Sequence, residues 1–216
     1  MTSSPKEVLQ VARRIADYAV EEGALLGGRS QRYTYEHLGA ALADSVLQAG
    51  LNYMNVVRPR VLAIFQTHPD HKTISSLTEL IQRGGTGAFL NWSHHEKLSR
   101  FEHLVIFLER RDIEYIQDLR AGLESNEFCR AMQTVKGIGP KTVDYMACLV
   151  GIDSIAVDRH VRKFASSVGI ARSDYTFLQS SFCCAADLLS LSRREFDAWL
   201  WNRAVSQTPE QLDLVV

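Results

Sequence analysis

No stretch of this 216-residue chain reaches the roughly 18 apolar residues that a membrane span requires. Its N-terminus is polar and leads into an amphipathic helix, unlike a secretory signal. No membrane partner is expected. Charge of one sign is also missing: Lys and Arg total 24 and Asp and Glu 25, for a net charge of −1. A basic surface covering the whole protein is thereby excluded, so binding to nucleic acid has to rest on a local patch. Cysteine is scarce and unpatterned. Cys129 and Cys148 fall in predicted helices while Cys183 and Cys184 are adjacent, which is neither a disulfide nor a metal framework. The expectation is buried free thiols in a reducing cytoplasm. Internal repeats, low-complexity segments and long disordered stretches are absent. No alternating pattern exceeds the Asp153 to Val157 run, so the chain is expected to be all-α.

What is present is a hydrophobic content of 46%, enough for one core or two small ones. Ser4, Pro5 and Glu7 read as the capped start of a first helix that runs to about Glu22 and is stopped by Gly27-Gly28. Thr34 is the expected cap of a helix over Tyr35 to Ala49, and a third helix is expected from about Asn52 to Phe65, interrupted or kinked at Pro59. Further helices are expected over Thr73 to Gln82, from Asn91 or Ser93 to about Arg110, and from Asp112 to an end near Gly122 to Ser125. Glu127 to Val135, Pro140 to Val150, Arg159 to Val168, Tyr175 to Leu189 and Arg194 to Val205 complete the set, with a loose tail after Gln207.

The most informative stretch is Val135 to Phe164. Lys136-Gly137-Ile138-Gly139-Pro140-Lys141-Thr142 reads as a turn whose two glycines suit unusual backbone torsions and close approach by another group. Pro140 fits the first turn of the next helix. The free N–H groups and dipole of that helix start make an anion site, and Lys136 and Lys141 beside it favour a nucleic-acid phosphate. From Lys141 to Gly151 the helix rises about 15 Å. The following segment, Ile152 to Asp158, reaches up to about 23 Å when extended, so the chain can return Asp158 toward Lys141. An amine and a carboxylate beside a phosphate site suit covalent chemistry on a sugar. Lys136 to Lys163 carries five basic residues (Lys136, Lys141, Arg159, Arg162, Lys163) against Asp144, Asp153 and Asp158, an excess that permits DNA binding without demanding it.

At these residues the chain resembles the helix-hairpin-helix DNA glycosylases of the endonuclease III superfamily. The hairpin Val135 to Thr142 matches, as does the loop Ile155-Ala156-Val157-Asp158 with His160 after it. The family's loop carries a proline before the aspartate, where this chain has Asp153 and Ser154. The likeness is sharp over about thirty residues and looser over roughly 40–200. It implies two helical lobes with a central cleft: residues 1–33 packing with a C-terminal lobe at 143–216 that carries the aspartate, and a central lobe at 34–142 that holds the hairpin. It implies Lys141 as the nucleophile that attacks C1′ of a damaged deoxynucleotide to give a Schiff base, followed by β-elimination, the AP lyase step. Asp158 would stabilise positive charge on the sugar and assist proton transfer. The expected partner is double-stranded DNA containing a damaged base or an abasic site, bound by a monomer in the cytoplasm, associated with the nucleoid if the source is bacterial.

Simpler readings stand beside these. Lys141 can be a solvated lysine and Asp158 a helix cap, since Asp is among the best caps. The expected DNA contacts are Lys136, Gly137, Ile138, Gly139, Thr142, Arg159 and His160, and Asn52 and Tyr53 are wedge or pocket candidates in the loop that follows Gln48-Ala49-Gly50. The usual wedge glutamine of that loop is not clearly matched. The four spaced cysteines of cluster-bearing relatives are missing, so no iron–sulfur cluster or other cofactor is expected. A monovalent cation at the hairpin is implied by the resemblance, and the pairs His68/His71 and His94/His95 lack a third ligand for a metal. A non-catalytic hairpin protein that clamps DNA, and a glycosylase without lyase activity, are the competing functions.

Overall fold

A computed structural model of the chain describes residues 4–26 and 34–206. The expected Gly27-Gly28 stop and the tail after Gln207 lie outside the described residues. Among the described residues every regular element is helical: α1 (Pro5–Glu21), α2 (Leu38–Leu47), a π-helical turn (Tyr53–Val57), α3 (Arg58–Thr67), α4 (Ile74–Gln82), α5 (Thr86–Leu90) and α6 (His95–Glu109), then α7 (Ile116–Leu123), α8 (Asn126–Met132), α9 (Pro140–Leu149), α10 (Arg159–Ser167), α11 (Tyr175–Leu188) and α12 (Arg193–Ser206). The protein is all-α.

Several helix starts differ from expectation for local reasons. Ser4 precedes α1 without a side-chain capping bond, and Pro5 alone marks the start. The second helix begins at Leu38 because His37, not Thr34, is its cap: Nδ1 of His37 accepts the Ala40 N–H at 3.1 Å. Asn52 caps the π-helical turn through Oδ1 and the Asn55 N–H at 2.9 Å, and of the two readings at Pro59 the structure shows an interruption: the π-helical turn gives way to α3, with Pro59 in its first turn. The short α5 was not expected; Asn91, read as a helix start, closes it in the left-handed region at φ 44°. Asp112, likewise at φ 55°, follows α6, and α7 begins later, where the Asp118 carboxylate accepts the Glu114 and Tyr115 N–H groups at 3.1 and 2.8 Å. Thr73 caps α4 in a reciprocal box with Ser76.

The chain divides into two compact units, one running Tyr33–Ile152 and the other made from the segment before Tyr33 together with everything from Asp153 onward. The expected boundary at 142/143 falls inside α9. That helix belongs wholly to the Tyr33–Ile152 unit, because Val143, Met146 and Val150 are buried in its core with Leu42, Leu104 and Leu119. Burial of such side chains contributes roughly 1.5–3 kcal/mol each, so dividing α9 would be costly. In this unit α2 is the central element: all ten of its residues are buried, and α3, α4, α6 and α9 pack around it. The other unit packs α1 against α11 and α10 against α12, over a core that includes Ile15, Ala19, Phe164, Phe182 and Phe196. Ile155, Ala156 and Val157, the short extended run, are buried there, and the Ala156 N–H donates to the buried Asp197 carboxylate at 3.3 Å.

Candidate functional site

The hairpin is built from a short turn between α8 and α9. Ser125 caps α8, and after Met132 the chain tightens, with Ile138 N–H donating to the Val135 carbonyl at 2.9 Å. Val135 and Ile138 are buried and anchor the turn in the core. Gly137 between them has φ +85°, a region that costs an L side chain roughly 1–2 kcal/mol. The guanidinium of Arg100, from α6, covers the position where a Cβ on Gly137 would stand. Gly139 differs: its φ of −104° and ψ of 179° are ordinary extended backbone, and a Cβ there would meet nothing within 4 Å. The expectation that both glycines serve unusual torsions holds for Gly137 alone. Among the described residues neither the Gly137 nor the Gly139 N–H is taken by a protein acceptor, while the Gly139 carbonyl receives the first α9 bonds from Thr142 and Val143 at 2.9 and 3.1 Å.

The side chains expected to meet DNA separate into two groups. Lys136 is exposed and Lys141 half-buried, but Ile138 and Thr142 turn inward at 2% and 5% exposure. Neither side chain is therefore available to a ligand at the hairpin, because both complete the core.

In the first turn of α9, Lys141 is held rather than solvated. Its Nζ donates to Oε1 of Gln48 and lies 5.7 Å from the centre of the Tyr145 ring. Gln48 caps the C-terminal end of α2 and gives its own Nε2 to the Ser45 carbonyl at 3.3 Å. Since that carbonyl only accepts, the amide orientation is fixed with its oxygen toward Lys141. Lys97 of α6 takes the same helix end from another side. Its Nζ donates to the Val46, Leu47 and Ala49 carbonyls at 2.8, 3.2 and 2.6 Å. These are carbonyls that a helix C-terminus leaves without intrahelical partners. Burial, with the nearby Arg100 and Lys141 cations, brings the Lys97 pKa down to about 8.

Behind Lys141 lies Asp44, a fully buried carboxylate in the middle of α2. It accepts hydrogen bonds from three phenols: Tyr35 at 2.7 Å, Tyr53 at 3.3 Å and Tyr145 at 3.0 Å. A buried carboxylate requires such donors. In return, burial followed by the Asp44 charge raises both the Tyr35 and Tyr53 pKa values, the latter to about 12. Tyr53 is thus committed to Asp44 and forms part of the wall behind Lys141, whereas Asn52 is an exposed cap.

Asp158, Arg159 and His160 belong to the other unit. Asp158 is the N-cap of α10: Oδ1 accepts the His160 and Val161 N–H groups at 2.7 and 3.0 Å. Its Oδ2 takes no protein hydrogen bond among the described residues, so capping leaves one carboxylate oxygen open to a ligand. Arg159 is exposed, and its Nε stands 3.4 Å from Nε2 of the half-buried His160.

Sequence reasoning missed Asp44, Gln48, Lys97, Arg100, Tyr35 and Tyr145. Asp44 had a signal, a lone charge inside the otherwise apolar run Leu38 to Leu47. Lys97 had none, because its partners are backbone carbonyls about fifty positions away in sequence, and Arg100 had none, because only the fold brings it over Gly137. Among the described residues no group of three His, Cys, Asp or Glu side chains is placed to hold a metal ion, and no helix is long and apolar enough to cross a membrane. All four cysteines are free thiols, Cys148 and Cys183 buried and the other two half-buried. No protein-family model matches the chain, and no curated protein matches it.

Proposed function

We propose that the protein is a DNA glycosylase with AP lyase activity, in which Lys141 is the amine that forms the Schiff base. The observation that carries this reading is the placement of a half-buried lysine amine, fixed by a side-chain amide, in the first turn of a helix whose N-terminal hairpin offers two N–H groups without protein acceptors. A solvated surface lysine would need no such holder. Backbone N–H groups at a helix start, with Lys136, Arg100 and Lys97 near the same hairpin and helix end, suit a phosphate of the DNA backbone.

In this reading the Lys141 amine attacks C1′ as the N-glycosidic bond breaks, and the base departs with a proton. Opening of the sugar leaves an iminium at C1′. Loss of a C2′ proton then expels the 3′ phosphate, and water releases the lysine. Asp158, through the oxygen left open by its capping role, takes the charge-stabilising part that the resemblance gives it. A monovalent cation at the hairpin is implied by the resemblance alone.

Borohydride trapping tests the proposal. The protein is incubated with duplex DNA containing an abasic site and then reduced. A covalent adduct with wild type and none with Lys141→Ala is expected. DNA binding without an adduct in either protein would overturn the lyase assignment and return the hairpin to a clamp or to a glycosylase that lacks the second step.

A further inference from the structure

Asp158 stands at the end of a short extended run that has no strand beside it, and Ser154, Ile155, Ala156 and Val157 of that run are buried. Among the described residues the Ala156 and Val157 N–H groups reach no backbone carbonyl, and buried donors of this kind have to be satisfied elsewhere. Two side chains do so. The Ala156 N–H donates to Oδ1 of Asp197, on α12, at 3.3 Å. The Val157 N–H donates to the phenol oxygen of Tyr175, the first residue of α11, at 3.4 Å. Earlier in the run, Asp153 accepts the Arg194 N–H at 3.0 Å, so the segment lies along the first turns of α12.

The chain then turns tightly. The Asp158 N–H reaches back to the Ala156 carbonyl at 2.8 Å, closing a three-residue turn over Val157. The two peptides that Asp197 and Tyr175 hold are therefore the two that set the backbone of Asp158. From the other side, the His160 and Val161 N–H groups hold Oδ1 of Asp158. With the backbone fixed before it and one oxygen fixed after it, the direction of the open Oδ2 is fixed as well. Asp197 itself is only 6% exposed, in a unit whose core includes Phe164, Phe182 and Phe196. A carboxyl group so placed is costly unless it accepts hydrogen bonds, which ties it to the run it holds.

We propose that Asp197 and Tyr175 are positioning residues for Asp158: they anchor the two peptides before it and so aim its open oxygen at the sugar. The inference rests on the reading of Asp158 as the carboxylate that stabilises charge there. Misplacing such a group by about 1 Å can cost a hundredfold in rate. Affinity for the duplex is carried by contacts to its backbone and should move little.

The first test follows single-turnover borohydride trapping on abasic duplex DNA against protein concentration. Asp197→Ala is expected to slow the saturating rate about tenfold or more, with half-saturation changed by no more than about twofold. Asp197→Asn keeps an acceptor oxygen and should stay within about threefold of wild type. In an Asp158→Asn background, Asp197→Ala should have little further effect, because both changes then act through one carboxylate. Equal slowing in both backgrounds, or no slowing in either, would overturn the proposal.

The second test needs no DNA. Amide hydrogen exchange is followed by NMR in wild type, Asp197→Ala, Asp197→Asn and Tyr175→Phe. Asp197→Ala should speed exchange at His160 and Val161, whose N–H groups Asp158 caps, while Phe182 in α11 keeps its protection; Asp197→Asn should leave both unchanged. Tyr175→Phe removes only the acceptor of the Val157 N–H and gives the same local pattern if Asp197→Ala does not fold. Uniform acceleration across the unit would reduce both residues to general stability and overturn the inference. Local loss of protection, with no adduct from wild type, would sustain the anchoring of Asp158 and remove the lyase reading on which its catalytic use depends.

Discussion

Lys141 and Tyr145 stand one turn apart on α9, and the amine lies 5.7 Å from the centre of the phenol ring whose hydroxyl donates to Asp44 at 3.0 Å. The wall behind the candidate nucleophile is therefore fixed by a carboxylate that touches no solvent. Replacing Asp44 with Asn keeps the shape but exchanges one acceptor oxygen for a donor group facing three phenols. We expect a loss of about 3 kcal/mol, against about 1 kcal/mol for Tyr53→Phe, whose bond to Asp44 is the longest of the three. Urea denaturation of both variants checks the order, and equal losses would contradict it.

Alkaline conditions test the same cluster. Tyr35 and Tyr53 titrate above the ordinary value of 10.0, Tyr53 at about 12. Above pH 10 the unfolded chain releases these phenolic protons while the folded chain keeps them. Stability contributed by the cluster is full below pH 10 and is lost as pH rises toward 12. Absorbance at 295 nm should show these two phenols ionising late or together with unfolding, and Asp44→Asn should bring them earlier.

His37 sets the acid side of the same unit. Its ring accepts the Ala40 N–H through Nδ1 and meets the His68 carbonyl through Nε2 at 2.8 Å, an arrangement that requires the neutral imidazole. Burial lowers its pKa below 6.5, so the unfolded state takes up the proton first as pH falls. Unfolding midpoints should drop between pH 7.5 and 5.5. His37→Asn, which retains a capping oxygen, should flatten that dependence, whereas His37→Ala should cost about 2 kcal/mol near neutrality.

The two hairpin glycines should respond differently to alanine. Gly137→Ala places a side chain at φ +85° and against Arg100, for an expected loss of about 1–2 kcal/mol. Gly139→Ala has open space and ordinary torsions, so stability should change by no more than about 0.5 kcal/mol. If a phosphate approaches the Gly139 N–H, that same stable variant should bind duplex DNA more weakly, which gel shift measures. Unchanged affinity would place the phosphate elsewhere.

These distinctions show what a linear sequence can carry. Pro140 and the glycines before it marked the start of α9 because helix entry is chemically local, and Asp158 announced its own capping role for the same reason. The start of α2 was misread at Thr34, since histidine capping depends on a tautomer fixed by His68, thirty-one positions away. The two-glycine turn could not reveal which glycine was strained. That depends on φ, and on Arg100 arriving from α6. The holder of Lys141 is ninety-three positions from it in sequence, and a glutamine at a helix end looks the same whether it grips a lysine or water.

The unit that combines the segment before Tyr33 with everything from Asp153 onward imposes an order on synthesis. Helix α1 leaves the ribosome early, yet the face formed by Ala12, Ile15 and Ala19 is buried largely by α11, which begins at Tyr175. At about 5–20 residues per second, the intervening stretch of about 150 residues takes roughly 8–30 s to appear. The unit holding Lys141 can complete its own core in that interval, while the apolar face of α1 waits. A nascent chain halted in this window would carry an assembled hairpin and an unpaired first helix, the species a chaperone would meet.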